Sequence, residues 1–152
     1  MKALNTKKYI VLRILVGVVF IVSGLEKLFS STENIIYVIQ SYQVLHHAFL
    51  EQLAALILPW FELFLGVFLV LGLWRKQSAL AVMGLSAMFA VAVGQALLRK
   101  LPLSNCGCFG ELLHFPLYVT FILDLILISS GWVLYTRSQD TMPLSLDKLF
   151  ED

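Results

Sequence analysis

The chain has 152 residues, of which 59% are hydrophobic and only 14% charged, where about a quarter charged is usual for a soluble domain. A mean hydropathy of +0.86 asks a fold of this length to hide more apolar side chain than it has interior, since a domain of about 150 residues buries only about 70% of its unfolded surface; the bilayer is the natural solvent. A net charge of +1 excludes the basic face of a nucleic-acid binder, and two cysteines are too few for a disulfide scaffold.

In chain order, apolar stretches long enough to cross a bilayer fall at residues 9–29, 53–73, 78–98 and 115–135. Together they contain only five charged residues, Arg13, Glu26, Lys27, Glu62 and Asp124. The first follows Lys2, Lys7 and Lys8 and ends near Ser23 and Gly24, as a secretory signal does. Its apolar run exceeds the roughly 7–15 residues of a signal core, and no A-x-A-like site follows, so a retained helix is expected. The segment 33–44 holds Ile35, Ile36, Val38, Ile39 and Tyr42 among polar residues and is too short to span. An interfacial amphipathic helix and an ordered loop are both open for it. The turn at 74–77 is so short that the second and third spans must be antiparallel neighbours. The tail 138–152, with Pro143 among leucines and acids, carries no interpretable signal.

Basic residues set the orientation. Lys2, Lys7, Lys8, Arg75, Lys76, Arg137 and Lys148 collect on one side, and Lys27, Arg99 and Lys100 on the other. The expected fold is therefore an all-α membrane protein, an antiparallel four-transmembrane-helix bundle over residues 1–137, with both termini and the tail cytoplasmic. Segments 30–52 and 99–114 then face outside, the periplasm in a bacterium.

Helical periodicity assigns packing faces. Arg13, Gly17, Phe20, Gly24 and Lys27 form one stripe of the first span, and Glu62, Gly66 and Leu69 share a face of the second. Gly84, Ala87, Val91 and Gly94 are the small-residue face expected on the third, and Thr120, Asp124 and Gly131 that of the fourth. Small residues let membrane helices approach closely. An ionised carboxylate at mid-bilayer costs about 2.5–3.5 kcal/mol even on lenient scales. Glu62 and Asp124 each lie about 14 Å below the outer end of their spans at 1.5 Å per residue, so they are either neutral hydrogen bonders or share a cation. Lys27 and Arg99, at the outer rim, are the candidates to reach inward, whereas Arg13, near the inner face, is expected as an interfacial anchor. Glu26 joins Lys27, Glu62, Asp124 and Arg99 as a candidate charge network.

The loop before the last span reads Asn105-Cys106-Gly107-Cys108-Phe109-Gly110, on the outer, oxidising side. Thiols at i and i+2 close a disulfide only through a tight turn, which Gly107 permits. Strained disulfides of this kind belong to the readily reduced, catalytic class, and Arg99 and Lys100 are near enough in sequence to favour thiolate if the loop folds back. A structural cross-link is a weak alternative because so short a loop has little entropy to remove. A zinc or copper site combining Cys106 and Cys108 with His46, His47 or His114 is another.

These residues resemble the MauE/DoxX family of small four-span membrane proteins, and the MauE branch more closely. Arg13, Gly17, Phe20, Ser23, Gly24 and Lys27, then Pro59, Glu62, Leu63 and Gly66, then Cys106-Gly107-Cys108-Phe109-Gly110 carry the likeness, which covers the chain up to Tyr135. The resemblance implies a redox-associated inner-membrane protein, MauE being thought to assist maturation of the disulfide-rich small subunit of methylamine dehydrogenase and DoxX relatives being linked to thiol redox or quinone-coupled sulfur oxidation. The chain also looks like the four-helix disulfide-generating enzymes of the DsbB and vitamin K epoxide reductase type, but with a single cysteine pair it cannot run their internal relay. A partner or an adjacent quinone must complete the circuit.

The function expected is thiol-disulfide exchange between Cys106 and Cys108 and a periplasmic thioredoxin-like protein or disulfide-bearing substrate, with Glu62, Asp124 and Lys27 handling protons. No cofactor is fixed. A quinone is the candidate, in a slot among Phe20, Trp60 and Phe64. A non-catalytic assembly or metal-binding subunit is the alternative, and a small transporter using Glu62 and Asp124 is disfavoured by the lack of an evident internal repeat.

Overall fold

The computed structural model describes residues 6–42, 47–99 and 116–137. Among them are five helices and no strand: α1 (Thr6–Phe29), α2 (Thr32–Ser41), α3 (Ala48–Leu71), α4 (Arg75–Leu98) and α5 (Leu117–Arg137). α1, α3, α4 and α5 are each long and apolar enough to cross a membrane. Large apolar side chains such as Leu15, Leu56, Val91 and Trp132 point away from the protein, as bilayer contact requires. The chain is a multi-pass membrane protein.

Local chemistry explains where the helices stop. Gly72 takes the left-handed conformation at φ 73°, which costs glycine nothing. Its N–H and that of Leu73 donate to the carbonyls of Leu69 and Phe68 at 3.3 and 2.9 Å, a Schellman turn that ends α3. Trp74 is also left-handed, at φ 45°, and Ser78 Oγ donates to the Leu73 carbonyl at 3.0 Å, so α4 starts at Arg75 rather than at residue 78. α3 begins at Ala48, five residues before the expected position, because its first turn is used by α2: Gln40 Nε2 donates to Glu51 Oε2 at 2.8 Å. α2 is the helix left open for 33–44, capped by Ser31. Tyr42, just beyond it, is buried against Val93, Ala96 and Leu117. Tyr9 donates to the Leu134 carbonyl at 3.4 Å, which puts the start of α1 and the end of α5 at the same end of the bundle, opposite α2.

The helices form two close pairs. α1 packs most extensively on α3, and α4 on α5, with less contact between the pairs. Within the first pair the backbones nearly touch. A Cβ on Gly24 would meet Leu63 N at 2.8 Å and Pro59 O at 2.9 Å, and one on Gly66 would meet Gly17 O at 2.7 Å. Pro59 is tolerated inside α3 because it is buried in this contact, where neighbours re-satisfy freed backbone groups.

The expected faces of α1, α3 and α5 are the buried ones, but that of α4 is corrected. Its buried side carries Ser78, Val82, Ser86 and Val93; Gly84 and Val91 point outward, with open space beside Gly84. Of the glycines on the expected face only Gly94 lies close to a neighbour, Phe121 of α5; the small residues that do pack are Ser78, Ala79, Ser86, Ala90 and Ala96. Arg13 is corrected too: it is 3% exposed, and its Nη2 donates to the Val70 carbonyl near the α3 C-terminus at 3.4 Å, where the helix dipole favours a cation.

Forcing a methyl into the α1–α3 contact should cost about 1–3 kcal/mol. Gly24→Ala is expected to lower the unfolding midpoint of the purified protein, while Gly84→Ala stays within about 0.5 kcal/mol of wild type. Equal effects of the two would refute the close contact.

Candidate functional site

The charged residues in the spans converge toward the α2 end of the bundle. A helical side chain leans toward the N-terminus of its helix, so Lys27, two residues before the end of α1, reaches back into the protein. Its Nζ donates to Glu62 Oε2 at 2.7 Å, to Glu62 Oε1 at 2.9 Å and to Ser23 Oγ, one turn back, at 2.8 Å. Ser23 Oγ in turn donates to Glu62 Oε2 at 2.8 Å. The ammonium also lies 5.3 Å from the centre of the Phe89 ring, within cation–π range. Lys27 thus satisfies all three of its donors. The ion pair is sealed, the side chains being 7% and 1% exposed.

The second pair of helices closes the site. Asp124 on α5 and Ser86 on α4 are buried and line, together with Ser23, Glu62, Phe20 and Phe89, a cavity of about 20 Å³. Asp124 belongs to the same electrostatic group as Lys27 and Glu62 without a salt bridge to either among the described residues. Of the two expectations for the carboxyls, Glu62 has its cation, and Asp124 faces a cavity. Thr120, one turn from Asp124 toward the α2 end, is 1% exposed. Tyr42 connects α2 to this group: burial first, and then the negative charge of Asp124, push its pKa up, so the phenol keeps its proton.

The other candidates are scattered. Glu26 is buried on α1 but does not line the cavity. Arg99 is exposed at the end of α4 and does not reach inward. His47 is exposed at the N-cap of α3. Cys106, Cys108, His46 and His114 lie outside the described residues, and among the described residues no three His, Cys, Asp or Glu side chains cluster as metal ligands.

The quinone slot is corrected. Phe20 is inside, 4% exposed, whereas Trp60 and Phe64 stack on each other with ring centres 6.1 Å apart on the outward side of α3, about half exposed. At 100° per residue both lie about 160° from Glu62, so they cannot line a slot with Phe20. These residues do not fit the group. Ser86 is a cavity residue that motif reasoning misses, although its signal is in the sequence: it is the one polar side chain between Ala79 and Gly94.

Breaking a buried ion pair by removing one charge costs about 3–5 kcal/mol, while replacing both partners with apolar residues is often neutral. Glu62→Gln is therefore expected to destabilise strongly, and the double variant Lys27→Met, Glu62→Leu to recover most of the loss, in detergent unfolding midpoints. A double variant as unstable as the single one would show that the pair contributes through something other than charge compensation.

No curated protein and no solved structure matches the chain. The family model described as "Methylamine utilisation protein MauE" matches residues 6–137, from the first residue of α1 to the last of α5 and across every residue of the site. The chain belongs to the MauE family.

Proposed function

We propose that the protein is an inner-membrane thiol-disulfide redox protein whose Cys106 and Cys108, on the periplasmic connection between α4 and α5, exchange with a thioredoxin-like protein or a disulfide-bearing substrate. Membership of a methylamine-utilisation family supports a role in assisting disulfide maturation of a secreted enzyme subunit. The observation that carries the reading is the sealed Lys27–Ser23–Glu62 group with Asp124 beside it, in the half of the bundle that leads to that connection. Buried ionisable groups are costly in a membrane and mark function by default.

In the exchange, a substrate thiolate attacks one sulfur of the Cys106–Cys108 disulfide to give a mixed disulfide. The second substrate thiolate resolves it. The substrate loses two electrons and two protons and gains a disulfide, while the cysteine pair takes up both as a dithiol. A thioredoxin-like disulfide reoxidises the pair by the same steps in reverse. Glu62, Lys27 and Asp124 serve as the proton-handling groups near the reaction.

Alkylation trapping in membranes tests this directly. Cys106 and Cys108 should be blocked after oxidant and doubly modified after reductant, and Cys106→Ser with Cys108→Ser should reduce exchange with a thioredoxin probe to background. A pair fixed in one state under both treatments would sink the proposal. Stoichiometric zinc or copper in the purified protein, lost with the cysteines, would replace it with the metal-binding alternative.

A further inference from the structure

Three buried oxygens on the α4–α5 pair have no hydrogen-bond partner among the described residues: Thr120 Oγ1, on a residue that does not line the cavity, and the pair Ser86 Oγ, on a residue 0% exposed, and Asp124 Oδ2, on a residue 5% exposed. Ser86 and Asp124 line the cavity of about 20 Å³, and its opposite wall is Ser23 and Glu62 of the α1–α3 pair. Leaving buried polar groups unmatched is costly, and two on one wall of one cavity call for an occupant. A water needs about 10–15 Å³ and two to four polar partners. The cavity has that room once, and it has those partners. A metal cation of the same size fits poorly. Both oxygens of Glu62 already accept from the Lys27 ammonium, whose positive charge would repel it.

We propose that this cavity is a built site for a single water molecule, held by Ser86 Oγ and Asp124 Oδ2, that joins the Lys27–Ser23–Glu62 group of one helix pair to Asp124 of the other. The water closes a hydrogen-bonded path across the seam between the pairs. That the path carries the protons of thiol chemistry rests on the function proposed above; the water site itself does not.

Infrared difference spectra of the full-length protein in lipid nanodiscs, recorded in ordinary and in ¹⁸O-labelled water, test it. One O–H stretching band sensitive to ¹⁸O is expected. Ser86→Val, whose methyl groups fill the cavity, should abolish it, and Asp124→Asn should shift it. Should Ser86→Val fail to fold, Ser86→Cys, nearly the same size but a poorer hydrogen bonder, should shift the band instead. Absence of any ¹⁸O-sensitive band, or one unchanged in the Ser86 and Asp124 variants, overturns the proposal. So does a band that moves when sodium replaces potassium, which would assign the cavity to a cation. The variant lacking both cysteines separates the two ideas, because it should keep the band whether or not thiol exchange is the function.

Discussion

Two opposite charges 2.7 Å apart, Lys27 and Glu62, are shielded from lipid on every side. Taking such a pair out of water is repaid only when the geometry is tight and the remaining donors and acceptors are matched. Ser23 meets the first demand on hydrogen bonds and the Phe89 ring covers the ammonium. The demand on geometry falls on the backbones. α1 and α3 must lie close enough for a side chain near the end of one to reach the middle of the other, and Gly17, Gly24 and Gly66 leave the space for that approach. Between membrane helices, where lipid is as apolar as leucine, close packing and interhelical hydrogen bonds replace the hydrophobic drive. The ion pair and the glycine contact therefore support each other.

The second pair is held differently. α4 and α5 meet through Gly131, whose absent Cβ is replaced by Met83, and present Ser86, Thr120 and Asp124 inward. The polar atoms of both pairs consequently face the seam where contact between pairs is thinnest. The fold thus concentrates its polar chemistry in its least packed plane, between two pairs that are each closely packed.

The four spans were legible because an apolar run of bilayer length has few other physical meanings. The buried stripe of α1 is legible because Gly17, Gly24 and Lys27 recur on one helical face, and small residues in a span mark close packing. α4 offers no such contrast: with apolar residues on every side, its two glycines part, Gly84 turning outward and Gly94 lying against Phe121. The outward position of Trp60 and Phe64 is legible in the numbering, which puts both about 160° from Glu62 around the helix, whereas their aromatic chemistry alone points the wrong way. Arg13 was misplaced because its partner, the Val70 carbonyl, belongs to a helix end that forms only once Gly72 turns the chain. Ser86 acquires meaning only beside Asp124, 38 positions further on.

Chain order adds a constraint of another kind. Lys27 precedes Glu62 by 35 residues and stands at the end of α1 opposite the chain's N-terminal lysines. Within α1 the sole carboxylate is its neighbour Glu26, and the one that Lys27 pairs with belongs to α3. Without α3 the Lys27 ammonium would reach for the lipid boundary, as lysines near helix ends do. Burial of the Lys27 charge is thus a property of the α1–α3 pair and not of α1 alone.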